Sequence, residues 1–168
     1  MIGGLRQIAN TPSVVSGSLQ NLYLGVWRRA TPKSAVDILY DGVRRLIHDW
    51  PGGVGMMLYV EKGTALPLPE IRDYMLEQRR SVAPHLIAAS LTVPGEGLWS
   101  ATVRTIAVTL GLSSGTIYPS KSFAALEEAA AWQVARMGPD FSVPAEALVR
   151  ALQTMRANEG SHPQVSGS

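Results

Sequence analysis

Three histidines, His48, His85 and His162, are the residues of this sequence with the chemistry for metal binding or general acid–base catalysis. No two of them have the spacing of a metal-ligand pair. Cysteine is absent, which removes disulfides, thiolate nucleophiles and every Cys-based metal site. The sequence shows no nucleophile–base pair of the kind that indicates a hydrolase. We therefore expect no enzyme activity, no metal and no cofactor.

Two glycine-rich stretches have the composition of phosphate-binding loops, Gly52-Gly53-Val54-Gly55 and Gly95-Glu96-Gly97. The first precedes an apolar run typical of a strand, whereas a dinucleotide fingerprint follows a strand and opens a helix. In the second, Glu96 would set a carboxylate beside any phosphate, and Ser100 stands where the third glycine of the fingerprint is needed. No Walker lysine follows. We interpret both stretches as tight turns.

The charge balance also excludes several partners. Fifteen Lys and Arg against thirteen Asp and Glu leave a net charge of +2, and no basic stripe is interleaved with aromatic residues, so we expect no nucleic-acid partner. Arg79-Arg80 is interpreted as part of a solvated helix face.

The longest apolar runs, 54–60 and 86–93, are far shorter than the ~20 residues that span a bilayer. No signal-peptide pattern is present near Met1. We expect a cytoplasmic protein with no transmembrane segment.

The apolar spacing predicts strands alternating with helices. Residues 22, 24 and 26 should face one side of a strand, with Tyr23 and Trp27 on the other. The pattern predicts strands at 13–19, 21–28, 54–60, 86–93 and 116–118, and helices at 31–50, 70–83, 98–110, 122–137 and 144–157, with Ser122 capping the fourth helix. This order indicates an α/β fold, with a mostly parallel sheet and helices packed against it.

Several short motifs occur in order along this pattern. They are Val26-Trp27, Thr31-Pro32, Gly52-Gly53-Val54-Gly55, Pro69-Glu70-Ile71-Arg72, Ala101-Thr102-Val103-Arg104, and Phe123 with Glu127-Glu128-Ala129 and Ala131-Trp132. With them, residues 13–137 resemble the SpoIIAA-like (STAS/SEC14-like) domain family of bacterial proteins related to anti-sigma-factor antagonists. The resemblance implies a mixed, mostly parallel STAS-like sheet of about five strands, with helices mainly on one face. It also implies non-catalytic action through protein or ligand contacts.

The chain departs from that family at its regulatory motif. The antagonists carry Asp-Ser-Ser-Gly-Leu, with a phosphorylated serine, where the third strand meets the second helix. Here residues 61–67 contain no serine, and Thr64 lies in a proline-bearing loop. Ser113-Ser114-Gly115 is similar to the motif but follows the third helix and lacks the Asp and Leu. The phosphorylation switch therefore does not carry over.

The remaining residues divide into a flexible segment at 1–12, an appended amphipathic helix within 138–157 and a disordered tail at 158–168. The apolar stripe of the appended helix must pack on its own domain, on a second copy of the chain or on a partner. Because the resemblance implies a core that closes its own sheet, we favour a second copy, as in a homodimer.

Two functions stay open. The first is a protein–protein interaction module of a regulatory kind, with a candidate surface of Trp27, Thr64, Leu148, Leu152 and Met155. The alternative, suggested by the SEC14-like relationship, is a carrier or sensor of a lipid or other apolar small ligand.

Overall fold

The structure, a computed structural model, describes residues 4–113 and 118–158. Within them, six strands form one sheet with the strands in chain order. The strands are β1 (Arg6–Asn10), β2 (Val14–Leu19), β3 (Leu22–Trp27), β4 (Val54–Val60), β5 (Leu86–Thr92) and β6 (Ser120–Phe123). The helices are α1 (Lys33–Asp49), α2 (Pro69–Val82), α3 (Leu98–Ser113), α4 (Leu126–Met137) and α5 (Ala145–Ala157). None of these helices is long and apolar enough to cross a membrane.

The pairing of the strands confirms the predicted mixed, mostly parallel α/β sheet. β1, β2 and β3 form an antiparallel meander, and β3 to β6 are parallel. Parallel crossovers are right-handed, and here each one advances in the same direction across the sheet. The crossover helices α1, α2 and α3 consequently share one face. These three are the helices that the prediction placed mainly on one face. The helices α4 and α5 follow the last strand, and they cover the other face of the sheet.

The alternation predicted for β3 is confirmed. Tyr23 and Trp27 pack with α1 in one core cluster, and Leu22, Leu24 and Val26 pack in the other. β4 is buried along nearly its whole length because helices lie on both of its faces. This is the arrangement that its continuous apolar sequence requires.

The appended helix belongs to the domain. In α5, Leu148 and Leu152 are fully buried and Met155 nearly so, within the cluster that includes Leu22 and Leu24 of β3. The prediction that this stripe packs on a second subunit is wrong. The physical reason is that α1 to α3 leave one apolar face of the sheet bare, and α4 and α5 are the elements left to cover it.

Two further predictions are corrected. The segment predicted to be flexible, 1–12, contains edge strand β1, and the turn after it is fixed by the Thr11 hydroxyl, which donates to the Val14 carbonyl at 3.0 Å. The last strand is Ser120–Phe123 instead of 116–118, of which residues 116 and 117 lie outside the described residues. Ser122 lies in that strand, and α4 begins at Leu126. The tail from 159 onward also lies outside the described residues.

Candidate ligand-binding site

An apolar cavity of about 90 Å³ lies between the sheet and the helices of the first face. Its floor consists of side chains near the carboxyl ends of three neighbouring parallel strands, namely Trp27, Leu58, Val60 and Leu91. Ligands of open α/β sheets commonly bind at the carboxyl ends of the parallel strands. The position in the fold thus marks the cavity as a candidate binding site.

Helices form the walls of the cavity. The lining side chains are Leu39 and Tyr40 of α1, Met75 and Arg79 of α2, and Val103, Ile106, Ala107 and Leu110 of α3. Arg79 is the one charged residue in the whole described lining. The wall can therefore offer dispersion contacts to an apolar body and a single cation to a polar group.

The loop between β4 and α2 closes the cavity. Thr64 is buried, and its hydroxyl donates to the Glu61 carbonyl at 2.7 Å. The Trp99 indole nitrogen of α3 donates to the Thr64 carbonyl at 2.9 Å. The Ala65 amide donates to the Arg29 carbonyl at 2.8 Å. The loop is thereby tied both to α3 and to the connection that follows β3.

The structure brings together two of the five residues predicted as an interaction surface. Trp27 and Thr64 are each 4% exposed and line the cavity. Leu148, Leu152 and Met155 are buried on the opposite face of the sheet. The five residues therefore do not form an exposed surface, and that prediction is wrong. Trp27 is covered because the 61–68 loop folds over the end of β3, a contact that the sequence pattern does not reveal.

Arg79 is a candidate binding residue that the sequence pattern does not indicate. The prediction of a solvated position on α2 is wrong for Arg79, which is partly buried and lines the cavity. Its Nε donates to the Tyr118 hydroxyl at 2.6 Å, and its guanidinium lies 5.7 Å from the centre of the Tyr118 ring. Within residues 4–113 and 118–158, its terminal nitrogens have neither a hydrogen-bond nor an ion-pair partner.

The electrostatics keep this site cationic. Burial lowers the pKa of Arg79, but the neighbouring Tyr40 and Tyr118 raise it by more, and the net pKa lies above the ordinary value. Burial also raises the pKa of Tyr40. At neutral pH the cavity thus has one fixed positive charge, on Arg79, beside the neutral phenol of Tyr40.

A second, more polar pocket of about 170 Å³ shares Arg79, Leu58 and Leu91 with the lining of the first. β6 contributes Ser120, Lys121 and Ser122 to its lining. The Lys121 ammonium, however, lies 5.2 Å from the centre of the Phe123 ring, which belongs to the opposite core. Arg79 is therefore the one cation that the described linings of the two pockets share.

Other chemistry finds no support in the described part of the chain. No group of three or more His, Asp or Glu side chains is placed there to hold a metal ion. The turn at Gly95 and Gly97, both with positive φ, is closed by Arg104, which donates to the Val93 and Gly95 carbonyls at 2.8 Å each. Residues 111–115 have the spacing Gly-x-Ser-x-Gly, which is typical of a hydrolase nucleophile elbow. Ser113 ends helix α3, whereas an elbow serine stands at a strand-to-helix turn.

The fold and the site together define an α/β protein with an apolar cavity at the carboxyl end of its parallel strands. No protein-family model matches the chain, and no curated protein or solved structure matches it. The resemblance to the SpoIIAA-like family therefore stays a prediction, and a functional proposal has to be built from the cavity itself.

Proposed function

We propose that this protein binds a small apolar ligand in the cavity between the sheet and α3, and acts as a carrier or sensor of that ligand. The observation that carries the proposal is the cavity lining, apolar apart from a few polar groups and one cation, at the end of the sheet where α/β proteins bind ligands. Of the two functions left open by the sequence, the interaction module loses its candidate surface, because those side chains are buried.

The size of the cavity limits the ligand. An engineered apolar cavity of roughly 150 Å³ holds a benzene ring. The present cavity, about 90 Å³, accepts an apolar body smaller than that without rearrangement. Each Å² of apolar ligand surface removed from water contributes about 25 cal/mol to binding. A short aliphatic or small cyclic body therefore fits best.

A longer ligand requires movement of one wall, and α3 is the wall suited to it. The helix contributes Val103, Ile106 and Ala107 to the cavity, yet Leu98 at its start is 85% exposed and Val108 is 54% exposed. A helix that leaves such side chains in water is incompletely packed, and its outward displacement costs less than that of a helix buried on all apolar positions. We take α3 as the entry side.

Xenon tests the proposal, because it enters apolar cavities without needing a polar partner. Methyl-resolved NMR of the full chain under xenon pressure should show saturable shifts for Leu58, Leu91 and Val103, which line the cavity. Ala107→Leu fills the cavity and should reduce these shifts severalfold. Ala101→Leu, at an exposed position of the same helix, is the matched control and should respond as the native chain does. Shifts elsewhere, or equal responses from both variants, would contradict the proposal.

A further inference from the structure

We propose that the ligand is an organic acid and that its carboxylate is bound by Arg79. This inference rests on the proposed function, since it names the polar group that accompanies the apolar body. The carboxylate would lie against the guanidinium at the α2 wall, and the apolar body would extend over Leu58 and Leu91 of the sheet.

Most donors of Arg79 have no partner within the part of the chain that the structure describes. A guanidinium has five N–H groups in a planar fork. In Arg79 the Nε–H is bonded to Tyr118, and the terminal nitrogens have no partner among residues 4–113 and 118–158. A charge on an apolar wall is unfavourable unless a counter-charge and hydrogen bonds accompany it. A carboxylate in the cavity supplies both, in the bidentate geometry that arginine favours.

Two other arginines of the fold, Arg156 and Arg44, are paired with groups of the protein. Arg156 makes two hydrogen bonds to the Glu61 carboxylate, at 2.6 and 3.2 Å. Arg44 is bonded to Asp41, Gln78 and Ser81. Arg79 follows Gln78 in the chain, yet it lines the cavity, and no carboxylate of the described residues lies within ion-pair distance of it. Its environment is thus that of a binding residue, whereas Arg44 and Arg156 hold structural elements together.

The single charge of the described lining indicates the class of acid. Phosphate esters carry up to two charges and three acceptor oxygens, which are usually matched by several donors. The Lys121 ammonium lies over the Phe123 ring, so it does not complete such a set. A monocarboxylate has one charge and a planar pair of oxygens, and it leaves the rest of the molecule apolar. Charge and volume together favour a short monocarboxylic acid.

The test compares two probes of nearly equal shape, pentanoate and pentanamide, at pH 7 and with the full chain. Both carry the same apolar body, and only the first is an anion. We expect pentanoate to bind about ten- to hundredfold more tightly, the range for a charge-assisted pair replacing a neutral one. Shifts of the Leu58, Leu91 and Val103 methyl signals place the bound probe and give its dissociation constant.

Three variants complete the experiment. Arg79→Met keeps the length and removes the charge, and should lower pentanoate affinity to that of pentanamide. Arg79→Lys keeps the charge and should retain part of the preference. Arg80→Met, at the exposed neighbouring position, is the matched control and should leave the preference unchanged. Thermal melting shows whether each variant is folded, and the comparison of the two probes on the native chain needs no variant at all.

The outcomes separate the two proposals. If neither probe nor xenon enters the cavity, the proposed function fails. If pentanoate and pentanamide bind equally well at the cavity methyl groups, the function stands and the carboxylate inference is overturned. Decanoate forms a further arm. Tighter binding of decanoate than of pentanoate, still dependent on Arg79, supports the inference and identifies a fatty acid, whereas weaker binding supports it for a short acid.

Discussion

The indole nitrogen of Trp99 donates a hydrogen bond of 2.9 Å to the main-chain carbonyl of Thr64. This one bond joins the first turn of α3 to the loop that closes the cavity, and it spans 35 positions of the chain. Both joined elements line the cavity, so the bond holds two of its walls in register.

Trp99→Phe should loosen that closure. The ring is kept and the donor is lost, so we expect a loss of about 0.5–1.5 kcal/mol in the free energy of unfolding, the ordinary range for one hydrogen bond. Urea denaturation measures this loss, and amide hydrogen exchange should accelerate at Ala65. Trp50→Phe, at a tryptophan that is 44% exposed, is the control. Unchanged exchange at Ala65 would show that the loop is held by other contacts.

Leu152→Ala tests whether α5 is part of the core. Leu152 is fully buried, and removing its side chain leaves a cavity that should destabilise the fold by about 2–5 kcal/mol. Arg150→Ala, on the exposed side of the same helix, should change stability by less than about 0.5 kcal/mol. Chemical denaturation at two protein concentrations gives both values. A loss in Leu152→Ala that depends on concentration would instead indicate packing between subunits.

Gly42→Ala sets helix propensity against packing. In the middle of α1, alanine is favoured over glycine by about 1 kcal/mol. An added Cβ would, however, lie 2.6 Å from the hydroxyl oxygen and 2.8 Å from a ring carbon of Tyr23, whose ring is rigid and fully buried. We expect net destabilisation of about 1–3 kcal/mol, as for other overpacked cores. The double variant with Tyr23→Phe should recover part of this loss, because the nearest atom is removed.

Alkaline pH should destabilise the fold through the same tyrosine. Burial raises the pKa of Tyr23 from 10.0 to about 12, with Ser16 and Arg45 opposing the rise. The folded state therefore binds this proton more tightly than the unfolded state. The contribution of Tyr23 to the free energy of unfolding is fully present below pH 10 and is lost as the pH rises to 12. The loss is about 2–3 kcal/mol for a shift of this size. Urea titrations across that range should show a smaller loss in Tyr23→Phe. Identical losses would assign the effect to other groups, such as Tyr40.

The sequence indicates the parts of the fold that local pattern determines. The alternation around Tyr23 and the unbroken apolar run of β4 both predict strands, because side-chain direction repeats every second residue. β6 escapes prediction because its sequence, Ser-Lys-Ser-Phe, is polar and lies at an edge of the sheet, where no apolar alternation is required. The position of α5 could have been predicted from the sequence, because strands that are apolar on both faces need helices on both faces of the sheet.

The candidate site depends on contacts that no local pattern contains. Helical periodicity sets Arg79 next to solvated positions of α2, and its burial follows from Tyr118, which is 39 positions away. The sequence predicts an exposed loop position for Thr64, whereas contact with Trp99 of α3 helps to bury it. The sequence predicts the class of fold and an apolar ligand as one of two functions. The position of Arg79 in the cavity is visible only in the tertiary structure.

The order of the strands and helices along the chain also determines when each apolar face of the sheet is covered during synthesis. Each strand pairs with the one made just before it, so the sheet and its first layer of helices can assemble progressively as the chain emerges. The opposite face, with Leu22, Leu24 and Val26, is covered only by α4 and α5, which are synthesised last. A nascent chain that has completed β6 therefore presents a wide apolar sheet surface to its surroundings.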